Sequence, residues 1–114
     1  MPNTVNSSNE FGGWNSPISD GAFPLPLKIS GFAIDPDPRA IIVIQLYRNE
    51  DTETPYLDFR EDFTSSDGNR KNFDFSVNSI KTGPNSILGR VLFVTWDDLP
   101  RINFYVLTPA EEKA

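Results

Sequence analysis

The chain has 114 residues, 38% of them hydrophobic, enough for one domain with a real core and too few for two. Ten basic residues against sixteen acidic give a net charge of -6, which repels phosphate backbones and anionic lipid, so no nucleic-acid partner is expected. Cysteine and histidine are both absent, which removes disulfides, thiolate nucleophiles, imidazole bases and the usual zinc ligands together.

The opening Met1-Pro2-Asn3-Thr4 has no basic or apolar leader, so no signal peptide is expected in this chain. No run approaches the roughly 18 apolar residues that would insert in a membrane. Residues 1–21 read as an irregular N-terminal arm, polar at first and then Phe11-Gly12-Gly13-Trp14 and Ser16-Pro17. A β-sandwich domain is expected over 22–109, followed by a short tail at 110–114 that ends in a helical turn or frays.

Within that domain, residues 25–34 form a first strand with Leu27, Ile29, Gly31 and Ala33 on one face. The alternating prolines of Asp35-Pro36-Asp37-Pro38 stop it, because proline cannot donate to a ladder. Residues 40–48 follow, where the β-branched run Ile41-Ile42-Val43-Ile44 favours pleated packing over helix. A shorter strand spans 55–63. Ser65-Ser66-Asp67-Gly68-Asn69 reads as a hairpin turn, with Asp-Gly where positive φ is needed. Phe73, Phe75 and Val77 then alternate with polar residues. Lys81-Thr82-Gly83-Pro84-Asn85 reads as a loop, and 87–96 and 101–108 as the last strands, joined by Asp97-Asp98-Leu99-Pro100.

Short strands at this spacing predict an all-β antiparallel sandwich of about seven strands, with a small jelly roll or β-barrel as the alternative. The stretch Leu27-Lys28-Ile29-Ser30-Gly31-Phe32-Ala33-Ile34-Asp35 resembles the first core strand of bacterial immunoglobulin-like domains, in which I-S-G-x-A-x-D recurs. Phe73-Asp74-Phe75-Ser76-Val77 with Gly83-Pro84-Asn85-Ser86-Ile87 is similar to their F-x-F-x-V … G-x-N-x-I stretch. Trp96 and Pro100 depart from that pattern. The resemblance implies an immunoglobulin-like sandwich and transfers no activity, since such folds host many functions.

Without an imidazole or thiol, paired carboxylates are the catalytic chemistry left, and they fall at turns and strand ends, where acids are solvated. No enzyme is expected. The same acids suit calcium, with Asp35 and Asp37 on one loop and Asp97 and Asp98 on another; no other cofactor is implied. The six acids between Glu50 and Asp62 read as a solvated edge. Trp14, Tyr47, Tyr56, Trp96 and Tyr105 are the rings that would stack on a carbohydrate. Trp96 shares a face with Leu92 and Val94 and reads as core, whereas Trp14, outside the periodic strands, reads as a contact residue.

One feature of the strands points to a surface. A solvated sheet strand should be apolar on one side only, yet Ile41, Val43 and Tyr47 oppose Ile42, Ile44 and Leu46, and Tyr105 lies on the second face of the last strand. That face is expected to be covered by the arm, by another copy or by a protein partner. The resulting expectation is a non-catalytic interaction or structural module working by protein contact or self-association. Carbohydrate binding, with calcium assisting, is the alternative. Nothing in the residues fixes a compartment; an extracellular or surface assembly suits the reading.

Overall fold

The structure is a computed structural model that describes residues 8–48 and 50–112. The rest of the expected arm, residues 1–7, and of the tail, 113–114, lie outside the described residues. In chain order the elements are β1 (Ser8–Asn9), β2 (Gly12–Ser16), β3 (Ala22–Phe23), β4 (Leu27–Ile34), β5 (Ile41–Arg48), β6 (Leu57–Glu61) and β7 (Ser65–Asp67). They continue with β8 (Arg70–Val77), β9 (Gly83–Phe93), β10 (Thr95–Asp98), β11 (Ile102–Val106) and the single turn of α1 (Pro109–Glu112).

The strands form two sheets. The first runs β1-β2-β4-β8-β7, and the second runs β3-β11-β9-β5-β6 with β10 also paired to β9. Pairings are antiparallel except β3 with β11, which is parallel. The order β2-β4-β8-β7 is the A-B-E-D sheet of immunoglobulin domains, and β11-β9-β5-β6 is the G-F-C sheet extended by a C′ strand. The fold is an immunoglobulin-like antiparallel β-sandwich, and neither sheet closes into a barrel.

The expected alternation places the core. Leu27, Ile29 and Ala33 of β4 and Phe73 of β8 face Ile42, Ile44 and Leu46 of β5, Ile87 and Val91 of β9, and Ile102, Phe104 and Val106 of β11. Each of these side chains larger than Ala33 is worth about 1.5–3 kcal/mol when removed from water. The Asp67–Arg70 pair closes a tight hairpin, with Gly68 at φ 62 supplying the left-handed conformation. Asn85 is wholly buried and fully used: its Oδ1 accepts from the Tyr56 hydroxyl at 2.6 Å, and its Nδ2 donates to the carbonyls of Lys81 and Gly83. It thereby ties the crossover into β9 to the strand-β6 side of the domain.

Several expectations are corrected. The arm expected to be irregular carries β1 and β2, which extend the first sheet through β4. The physical reason lies in its glycines, which have no side chain to keep strands apart: a Cβ on Gly12 would collide with the Phe32 carbonyl, and one on Gly31 with the Gly13 carbonyl. Through that close approach Trp14 enters the core at 5% exposure, edge-on to Phe73 with ring centroids 5.6 Å apart, and its Nε1 donates to the Pro100 carbonyl at 2.6 Å. The expected contact residue is an interior one.

At the other end, the strand expected over 87–96 turns back at Val94, whose φ is 64, and Asp97 and Asp98 of the expected joining loop are paired with β9 as the end of β10. Trp96, expected in the core, stands on the returning strand at 43% exposure. Leu99 continues the β10 register, its N–H bonding to the Gly89 carbonyl, and so faces the core; the pairing with β9 then shifts by one residue before β11, a β-bulge. Residues 83–85 belong to β9 rather than to a loop. Pro84 is tolerated on the β11 side because Tyr105, its partner there, turns its own N–H away to the Gly21 carbonyl, so that pair needs no hydrogen bond from the proline nitrogen.

Candidate functional site

The second face of β5 is the outer face of the second sheet. Register and alternation place Ile41, Val43, Gln45 and Tyr47 of β5 beside Ser86, Leu88, Arg90 and Leu92 of β9 on that face. Asn103 and Tyr105 of β11 flank them on one side. Trp96 and Asp98 rise at the β10 end.

Of the covers expected for this face, the arm strands β1 and β2 pair instead with the other sheet, and the apolar layer is shaded by polar side chains lying flat on their own sheet. The Arg101 guanidinium sits 4.2 Å from the Tyr47 ring centroid and bonds to Ser86 Oγ at 3.3 Å. Tyr47 donates its hydroxyl to Gln45 Oε1, and Gln45 Nε2 donates to Asp58. Under this layer Val43 is 1% exposed and Tyr47 5%, so they act as supports.

The Arg90 guanidinium lies 5.1 Å from the Trp96 ring and forms an ion pair with Asp98 across the β9–β10 hairpin. Its Nε is 2.9 Å from Asp98 Oδ1 without the alignment of a hydrogen bond, and the aligned donor is Nη2 at 3.4 Å. Such stacked guanidinium groups hold a flat geometry that an ammonium group would not. Beyond them, Val94 caps the hairpin at 86% exposure, a β-branched residue at positive φ. Tyr105 is half-buried. Its hydroxyl bonds to Glu111 Oε2 at 3.0 Å, and that bond raises the phenol pKa.

Of the four aspartates expected to bind a cation, three border one cavity without converging. Asp35, Asp37 and Asp97 border a cavity of about 220 Å³ at one end of the sandwich, with Phe11, Ile34 and Phe93 as its apolar wall. Asp98 lies on the outer face with Arg90. The Arg39 side chain and N–H bond to Asp37 and hold its carboxyl below the ordinary 3.8, while the guanidinium rests 4.3 Å from the Phe93 ring. Asp37 therefore already has a cationic partner. Among the described residues no three acids converge closely enough to hold a metal ion.

Sequence reasoning found Ile41, Val43, Tyr47 and Tyr105 on this face and missed Arg90, Leu92 and Arg101. The signal for Arg90 was its place between Leu88 and Leu92 at strand spacing; Arg101 follows a bulge, and no periodicity reaches it.

No protein-family model and no curated protein matches the chain. Among solved structures it is similar to a chain in the crystal structure of Dpr1 IG1 bound to DIP-eta IG1, at 13% identity with a TM-score of 0.36, over 84% of this chain and 95% of that one. A likeness so distant carries no argument, and the fold rests on the strand order itself.

Proposed function

We propose that this domain is a non-catalytic protein-contact module that uses the outer face of its β3-β11-β9-β5-β6 sheet to associate with a second copy of itself. The observation that carries the reading is the composition of that face: Trp96 and Arg90 stand beside Leu92 and Ile41 at one end, Arg101 and Tyr105 lie toward the other over the buried Tyr47, and the strand residues that register places there include no lysine. Tyr, Trp and Arg are enriched at interfaces and lysine is depleted. The face also carries both signs, with Arg60, Arg90 and Arg101 beside Asp58 and Asp98, so a two-fold arrangement can oppose unlike charges. Arg90 and Arg101 are already held by ring stacking, which lowers the entropy lost when a partner docks.

Sedimentation equilibrium across the micromolar range tests the proposal. The expected result is a reversible dimer that Leu92→Glu and Trp96→Ala each convert to monomer with the far-UV spectrum unchanged. A wild-type protein that stays strictly monomeric overturns self-association. A carbohydrate platform is the second reading, resting on the exposed Trp96 ring; Arg90 already occupies one face of that ring.

A further inference from the structure

The two sheets leave one side of the sandwich open. Strand β7 pairs with only Arg70–Asn72 of β8, so beyond Asn72 the outer edge of β8 has no strand partner among the described residues. The chain between β6 and β7 closes the upper part of this side, where Phe63 meets Phe73 at 6.4 Å. Below it, between the edge strand β6 and the free part of β8, a cavity of about 430 Å³ is lined by Leu57, Phe59, Phe75 and Val77, with Glu61 and Ser76 at its border. That volume falls within the roughly 300–1,000 Å³ of sites that take ligand side chains. Phe59 and Phe75 meet edge to face at 6.2 Å as its floor, both half-buried.

The backbone fixes what would fit. The Asn72 carbonyl points to the β7 side, where it accepts from the Thr64 N–H at 2.8 Å. Peptide groups alternate in direction along a strand, so the N–H and C=O of Asp74 and Ser76 point out on the same edge. A chain pairing there must be extended, and alternate side chains would enter the cavity on the same side as Phe73, Phe75 and Val77. The intervening side chains would lie on the outer face of the first sheet beside Asp74, and the whole chain carries -6, so those positions favour cations. A second copy's β8 would leave the cavity unfilled, because its own Phe73 and Phe75 are committed to its own core.

We propose that the open edge of β8 is a strand-addition site for an extended segment of another protein with apolar residues at alternate positions and basic residues between them. Main-chain bonds to Asp74 and Ser76 set its register, and the Phe59–Phe75 cavity selects its inward side chains.

The probe is a short fluorescein-labelled peptide in which leucine and lysine alternate, compared with the same peptide carrying a central proline. Saturable fluorescence anisotropy is expected for the first and not for the second, and amide NMR shifts should concentrate at residues 73–77. Ser76→Pro removes an outward N–H without touching the β4 ladder, and should weaken binding by about tenfold or more. Asp74→Lys should also weaken it. Leu92→Glu, which tests the outer face, should leave it unchanged. Equal binding by the two peptides, unaltered binding to Ser76→Pro, or shifts centred on Leu92 would each overturn the proposal.

Discussion

The two edges of the first sheet are finished in opposite ways. On one side β2 lies along β4, sends Trp14 between the sheets and anchors its indole to the Pro100 carbonyl of the opposite sheet's chain. On the other side β7 stops after three pairs, and Phe75 and Phe59 are left half-buried over an opening. The first edge is closed by a large side chain crossing the core; the second is bridged by the half-buried Phe59–Phe75 contact, which leaves a cavity open above it. A sandwich edge is sealed by what reaches across it, and strand pairing alone does not seal it.

Removing the crossing side chain should have the largest effect. Trp14→Ala is expected to cost about 3–5 kcal/mol in urea unfolding, a large share of the total for a domain of this size. A loss no greater than that of a surface substitution would mean that the first edge is not held by the indole. Next comes the close approach that admits Trp14. Gly31→Ala presses a methyl group against the Gly13 carbonyl and the Phe73 ring, and should cost about 1–3 kcal/mol. At the open edge, Phe75→Ala should cost roughly half the Trp14 loss, about 1.5–2.5 kcal/mol, because its ring is already partly in water. Equal losses at Trp14 and Phe75 would erase the contrast between the edges.

The smallest effect concerns the second sheet's own margin, beyond β11. Thr108 and Glu111 cap α1 reciprocally: the Thr108 N–H donates to Glu111 Oε1 at 2.8 Å, and the Glu111 N–H to Thr108 Oγ1 at 3.2 Å. The Thr108 N–H and the Tyr105 hydroxyl both favour the carboxylate, so its pKa lies below the ordinary 4.5. A depressed carboxylate pKa stabilises the turn at pH above 4.5, and that contribution disappears as pH falls through the lower folded value. Amide protection factors at residues 108–111, taken against the intrinsic exchange rate at each pH, should therefore fall on acidification below pH 4.5, and Glu111→Gln should show the lower protection already at neutral pH. Identical exchange in both proteins at neutral pH would show that the charge plays no part.

The central strands were legible because their residues alternate and their stops are chemical: Asp35-Pro36-Asp37-Pro38 ends β4, and Asp67-Gly68 turns β7 into β8. The glycine-rich β2 was not legible. Gly12 and Gly13 carry no periodicity, and their value is the space they leave for Trp14, a tertiary fact. The hairpin at Val94 was hidden for the opposite reason: a β-branched residue is the least expected at positive φ. That single turn decides the surface. It takes Trp96 out of the core, puts it beside Arg90, and brings Asp97 to the cavity that Asp35 and Asp37 border. Two-sided apolarity in β5 was legible as a puzzle, and its cover by Arg101 and Gln45 was not, because flat-lying side chains leave no trace in spacing.

The parallel pairing of β3 with β11 has a mechanical consequence. Asp20, Tyr105 and Leu107 donate to the carbonyls of Asn103, Gly21 and Phe23, three backbone bonds lying across the common strand direction. Tension that draws the chain before Asp20 away from the chain after Leu107 slides these strands past each other along their length. The three bonds then share the load and must fail together, whereas an antiparallel pair pulled at its open ends would release them one at a time.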